Sequence, residues 1–235
     1  MSLRLLVDND PGWFPDPNGA LAEPNGLLAV GGDLSVQRLV SAYRQGIFPW
    51  FNPGEPLLWW SPDPRMVLRP EALHISRSLK KTLQKNRYHT TFDRAFSDVM
   101  RLCGEPYPGR DSSWIGPEML TAYTRLHKSG IAHSVETWDR DDQLCGGLYG
   151  VLIGAAFFGE SMFSRRSDAS KIALVGLCQR LQAIGVRVLD CQMVTPHLAS
   201  MGSTPISRAQ FLRDITGLVN TTTQPFTDRS AIEQS

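Results

Sequence analysis

The hydrophobic positions of the chain fall into short runs, and one pair of runs dominates. From Gly146 to Arg166 (GGLYGVLIGAAFFGESMFSRR) two apolar stretches are joined by Leu152-Ile153-Gly154-Ala155, which predicts two strands and a tight turn. In the second stretch a carboxylate, Glu160, stands among Phe157, Phe158, Met162 and Phe163. Further on, VLDCQM (Val188 to Met193) is another apolar strand pattern, interrupted by Asp190 and Gln192. Burying a carboxylate without a partner is costly. These three polar groups are therefore where chemistry is expected.

Strand alternation puts Glu160 on one face with Phe158 and Met162, and Asp190 on one face with Gln192. At ~3.3 Å rise per residue the last two lie roughly 7 Å apart. Asp190 is then placed to accept from the Gln192 amide, which frees the Gln192 carbonyl oxygen for another donor. An incoming α-amine, with a free pKa of about 8, is such a donor. Glu160 would hold a substrate ammonium group; the alternative is a buried ion pair with Arg165 or Lys171.

Around this centre the pattern alternates. Strands are predicted at Leu3 to Val7, Met66 to Leu68, Tyr88 to Phe92, His133 to Trp138 and Val186 to Cys191. Helices are predicted at Val36 to Gln45 after Ser35, at Arg77 to Lys85 after Ser76, and at about Arg94 to Leu102. Further helices follow at Pro117 to Lys128, at Ala169 to Ala183 after Ser167 or Asp168, and at Arg208 to Val219 after Ser207. The strand–helix–strand order from Gly146 to Cys191 implies a parallel pair. The class is α/β or α+β with one mixed sheet. A small Pro/Trp-rich N-terminal domain (1–62) precedes a larger one (63–235), with a tail from about 221 expected to fray. The stretch IFPWFNPGEPLLWWSPDPR, with Trp50, Trp59 and Trp60, reads either as interdomain packing or as a platform with a ligand-facing aromatic such as Trp50.

Composition changes the picture in one place. The net charge is +1, yet Pro64 to Arg94 holds eight Lys/Arg against Glu71 and Asp93, a local +6 that leaves −5 elsewhere. On a helical wheel Arg77, Lys80, Lys81, Gln84 and Lys85 share one side, and Leu79 and Leu83 the other. No acid at i±4 softens that cationic face. A solvated surface fits it, and so does phosphate contact with a nucleic acid read through its backbone. Four scattered cysteines without C-x-x-C spacing suggest neither zinc nor a disulfide framework, so a reducing, cytoplasmic setting is expected. The five isolated histidines show no metal spacing, and neither a membrane span nor a nucleotide-binding glycine loop is present. Without an evident nucleophile, the reaction should use a substrate that arrives already activated.

In order along the chain, EPNGLLAVGGDLS, YRQGIFPWF, LLWWSPDPR, HISRSLKK, GGLYGV, FFGESMFSR and LDCQ closely resemble the bacterial leucyl/phenylalanyl-tRNA–protein transferases, over about Phe14 to Phe211. The resemblance implies a GNAT-type acyltransferase domain behind a small N-terminal one, no cofactor, and a monomer. It implies transfer of Leu, Phe or Met from aminoacyl-tRNA to the N-terminal Arg or Lys of acceptor proteins, which creates an N-degron. Residue by residue, it implies catalytic roles for Glu160, Asp190 and Gln192. Trp50 and Trp114 would bind the aminoacyl end, and Leu148, Phe157, Met162, Leu174, Leu177 and Leu189 would line the side-chain pocket. Arg77, Lys80, Lys81, Lys85 and Arg87 would bind tRNA. The alternatives are a CoA-dependent N-acyltransferase, against which the lack of a pyrophosphate loop counts, and a non-catalytic RNA-binding module.

Overall fold

The computed structural model describes residues 3–7, 10–106 and 113–227. Strands β1 (Arg4–Leu6), β2 (Leu27–Gly31), β3 (Phe48–Pro49) and β4 (Leu58–Trp60) form one sheet in the order β1-β2-β4-β3. Strands β5 (Arg65–Leu68), β6 (His89–Phe92), β7 (Ala132–Trp138), β8 (Leu144–Ile153), β9 (Ala156–Ser164), β10 (Val188–Gln192) and β11 (Thr204–Ile206) form the other, in the order β11-β5-β10-β9-β8-β7-β6. The second sheet is antiparallel except between β9 and β10, the pair joined through helix α5 (Ala169–Ala183). The expected parallel unit and mixed α/β class are therefore present.

The other α-helices are α1 (Val36–Arg44), α2 (Arg77–Gln84), α3 (Phe96–Gly104), α4 (Pro117–Lys128), α6 (Pro196–Ser200) and α7 (Arg208–Leu218). Alternation along β8 and β9 divides the buried side chains. Tyr149, Val151 and Phe158 join Leu39, Tyr43, Val99 and Tyr123 of α1, α3 and α4. Leu148 and Phe157 join Leu79 of α2 and Leu174 and Leu177 of α5. The first cluster also holds Leu28, Ala29 and Trp59, so the N-terminal sheet shares a core with the larger one. The turn between β8 and β9 needs Gly154: its φ is +59°, and a Cβ there would lie 2.3 Å from the Leu218 carbonyl oxygen.

Ser35, Ser76 and Ser207 cap their helices as expected, each hydroxyl accepting from a backbone N–H three residues on. The expected cap of α5 fails. Asp168 takes the left-handed conformation and turns its carboxylate to Thr82 (3.2 Å) and Lys171 (3.1 Å). The expected fraying from about 221 is also corrected. Through Thr227 the chain is pinned, with Phe226 only 3% exposed because aromatic rings enclose it. Residues 228–235 of the expected frayed tail lie outside the described residues.

Candidate active site

β9 and β10 run side by side only as far as Phe158 and Asp190, then part. Each strand carries an irregularity at that point. On β9 Tyr149 pairs with Ser161 and Gly150 with Gly159, leaving Glu160 as the extra residue of a bulge. On β10 Asp190 pairs with Val67 and Gln192 with Met66, and Gln192 has a φ of +60°. Bulges re-aim side chains and end pairing. These two aim Glu160 and Gln192 at one another across the gap. A cavity of about 830 Å³ opens there, walled by both strands, β8, α5 and the N-terminal segment around Trp50.

The β9 bulge overturns one expectation. Glu160 does stand on the Phe158 side, bonded to tyrosines of that cluster, but Met162 faces the opposite cluster with Leu148. One inserted residue reverses the parity on which the face assignment relied. Gly159 was the only signal for it, since a glycine inside a strand often marks a bulge.

The polar trio is assembled differently from the expected Asp190–Gln192 side-chain pair. Asp190 is bound in bidentate fashion by Arg65, Nε to Oδ1 at 2.8 Å and Nη2 to Oδ2 at 2.6 Å, with both side chains fully buried. Arg65 also donates to the Gly46 carbonyl at 3.0 Å and lies between the Phe48 and Phe211 rings. The remaining tie of Asp190 is to the backbone N–H of Gln192, 2.9 Å from Oδ1, and this fixes the left-handed bend. The Gln192 amide instead donates to Glu160 Oε1 at 2.8 Å. Its own oxygen is left for a further donor. Asp190 thus holds the backbone bend at Gln192, and Glu160 holds the glutamine's amide.

Glu160 receives two more hydroxyls, from Tyr43 (2.7 Å to Oε1) and Tyr123 (3.0 Å to Oε2), and those hydroxyls touch each other. Three oxygen–oxygen contacts need three hydrogens, and two phenols supply two. In its protonated form Glu160 supplies the third and closes the ring. Burial raises the Glu160 pKa to about 7, the Asp190 charge adds to the rise, and the three donors oppose it. The expected alternative, an ion pair with Arg165 or Lys171, is not formed: Arg165 pairs with Glu105 and Lys171 with Asp168.

A carboxyl with a raised folded pKa stabilises the fold while protonated, below the ordinary value of 4.5, and loses that contribution as pH rises through about 7. The full swing is at most about 3 kcal/mol, since Glu160 opens partly on the cavity. Stability measured by denaturant titration should therefore fall between pH 5 and pH 8, and Glu160→Gln should flatten the fall. An unchanged slope in the variant would show that Glu160 is ionised throughout.

Of the expected pocket residues, Trp50, Trp114, Leu148, Met162, Leu174, Leu177 and Leu189 line the cavity. Phe157 does not. It is wholly buried one layer behind, against Phe226, because its strand position faces the core before the two strands part. The tryptophans divide by role: Trp59 is core, whereas Trp50 is 40% exposed at the cavity rim, its carbonyl held by Trp60 Nε1 at 2.6 Å. Tyr43, Tyr123 and Arg65 were missed in the sequence, where they read as ordinary core and surface positions. Arg77, Lys80, Lys81, Lys85 and Arg87 are all exposed, and among the described residues none has a carboxylate partner. Leu79 seats α2 against the core that α5 shares, and α5 in turn forms one cavity wall. No cluster of three His, Cys, Asp or Glu able to hold a metal occurs among the described residues, and no helix there is long and apolar enough to cross a membrane.

The family model described as leucyl/phenylalanyl-tRNA protein transferase matches residues 67–216. The chain belongs to that family. The model of the transferase N-terminal domain matches 32–63. A leucyl/phenylalanyl-tRNA–protein transferase from Nitrosomonas europaea is 60% identical over 216 residues, covering 92% of this chain and 90% of its own. One from Laribacter hongkongensis is 56% identical over 223 residues, covering 95% and 93%. Among solved structures, a GCN5-related N-acetyltransferase from Kribbella flavida aligns at 11% identity and a TM-score of 0.40, covering 76% of this chain and 63% of its own. The cavity and the side chains bonded at its wall draw on both matched segments, with Tyr43 and Trp50 from 32–63 and Glu160, Asp190 and Gln192 from 67–216.

Proposed function

We propose that the chain transfers Leu, Phe or Met from aminoacyl-tRNA to the N-terminal Arg or Lys of acceptor proteins. The observation that carries this reading is an apolar cavity with the Glu160–Gln192 pair on its wall. Leu148, Met162, Leu174, Leu177 and Leu189 offer a surface for an unbranched or γ-branched apolar side chain and few partners for a polar one. Trp50, exposed at the rim, presents a ring face to the terminal adenosine.

The donor is an ester and brings its own activation. The acceptor nitrogen forms a bond to the ester carbonyl carbon, the carbon–oxygen bond to the tRNA ribose breaks, and the leaving hydroxyl takes up the proton that the nitrogen gives up. Gln192, its amide held by Glu160, accepts an N–H of the attacking amine and aims its lone pair. Before attack, the ionised form of Glu160, with its pKa near neutrality, takes the first proton from the acceptor ammonium. The product is an N-degron, made by a monomer in the cytoplasm.

Purified chain given Leu-tRNA and an Arg-initiated peptide should yield the Leu-Arg peptide, detected by mass; absence of product would sink the reading. The exposed cations of α2 fit phosphate contact. Reversal of Lys80 and Lys81 to Glu should weaken tRNA binding and reduce the log–log salt slope by about 2, near 0.9 per lost contact. Turnover at saturating tRNA should be unchanged. An unaltered slope would remove α2 from the tRNA surface.

A further inference from the structure

The segment 221–227 is strapped across the back of the cavity wall. Thr223 Oγ1 donates to the Gly154 carbonyl at 3.2 Å, and the Gln224 N–H to the Ile184 carbonyl at 3.3 Å. Arg180 of α5 donates from Nε to the Phe226 carbonyl at 2.6 Å and from Nη2 to the Pro225 carbonyl at 3.1 Å. Thr227 Oγ1 donates to Asp93, whose carboxylate also takes the Ser134 N–H and contacts His133 Nδ1. These ties drive the Phe226 ring between Phe92, His133 and Phe157, with centroids 5.8, 4.3 and 6.0 Å away.

Phe157 is what makes this placement functional. Its ring lies against β8 at Gly150, where a Cβ would come within 2.4 Å of it. It belongs to the same buried cluster as the cavity-lining Leu148, Leu174, Leu177 and Leu189. Phe226 closes the space into which Phe157 would otherwise recede. A packed interior transmits such a displacement, because it has little free volume to absorb it.

We infer that Phe226 is a specificity-determining positioning residue: through Phe157 it sets the depth of the side-chain pocket, and so the preference among Leu, Phe and Met. The inference rests on the reading of the cavity as the aminoacyl side-chain pocket. Phe226→Ala should let Phe157 retreat and deepen the pocket. The ratio of kcat/KM for Phe-tRNA over Leu-tRNA should then rise about tenfold, the scale of a one- or two-methylene change in an apolar pocket. The change should lie in KM, with kcat for Phe-tRNA kept. Phe226→Leu, which fills more of the space, should give a smaller shift of the same sign and serves if the alanine variant does not fold.

Both donors are assayed on one preparation, so their ratio is blind to the fraction of chain folded, and a merely structural role would leave it unmoved. A ratio unchanged within twofold in Phe226→Leu overturns the inference while the transferase reading stands. If the wild-type chain makes no product, the transferase reading fails. Calorimetric affinities for leucyl- and phenylalanyl-adenosine amides then read the same ratio directly, and failure to bind either overturns the inference too.

Discussion

Arg65→Met is expected to destabilise the fold by about 3–5 kcal/mol, the cost of leaving one partner of a buried ion pair unpaired. Asp190 is wholly buried, and its bidentate partner is Arg65. Methionine fills much of the volume between Phe48 and Phe211 but offers no donor to either carboxylate oxygen. At roughly 2–4 °C per kcal/mol for a chain of this size, the melting midpoint should drop by about 10 °C. The double variant Arg65→Met/Asp190→Leu separates stability from function. Replacing both partners by apolar groups is often near neutral, so much of the stability should return. Activity should not return, because the Gln192 N–H loses the acceptor that fixes its bend. Recovery of turnover by the double variant would show that Asp190 serves only the fold.

Gln192→Gly should lower kcat by about 10²–10³, the range for losing one preorganised hydrogen-bonding group in an active site. Glycine is a tolerated replacement because Gln192 sits at a φ of +60°, a left-handed position that a residue without a Cβ adopts at no steric cost. The backbone N–H to Asp190 is retained, so what is lost is the side-chain oxygen that the proposed reaction aims at the attacking amine. Affinity for aminoacyl-tRNA should stay within about twofold, since no phosphate contact changes. Single-turnover transfer to an Arg-initiated peptide, measured beside filter binding of the tRNA, separates the two effects. Retention of wild-type kcat would remove Gln192 from the reaction and leave Glu160 as the group meeting the amine.

The two predictions concern residues of unequal visibility. Gln192, Asp190 and Glu160 stood out because each interrupts an apolar strand pattern, and a polar group in such a run needs a reason. Arg65 follows two prolines and an aspartate at the head of a basic block, where an arginine reads as surface charge. It is wholly buried only because β5 pairs with β10. Tyr43 and Tyr123 sit on amphipathic helices where an aromatic reads as core, and core they are, except for hydroxyls that meet on one carboxylate. Phe226 belonged to a polar tail whose own pattern gave no reason to fold; its partners come from β6, β7 and β9.

What the sequence determined by itself is what local pattern governs: the apolar strands, the serine caps, the parallel strand–helix–strand unit, the one-sided cationic helix and the family. Period and capping act within a few residues, so the chain carries them wherever it is read. What only the tertiary structure decided is which polar group meets which. Two bulges shifted the parity of β9 and β10, and an arginine far away in sequence claimed Asp190. The freed Gln192 amide then turned to Glu160. Hydrogen-bond partners are chosen by approach in space, and a one-residue slip in register is enough to change the choice.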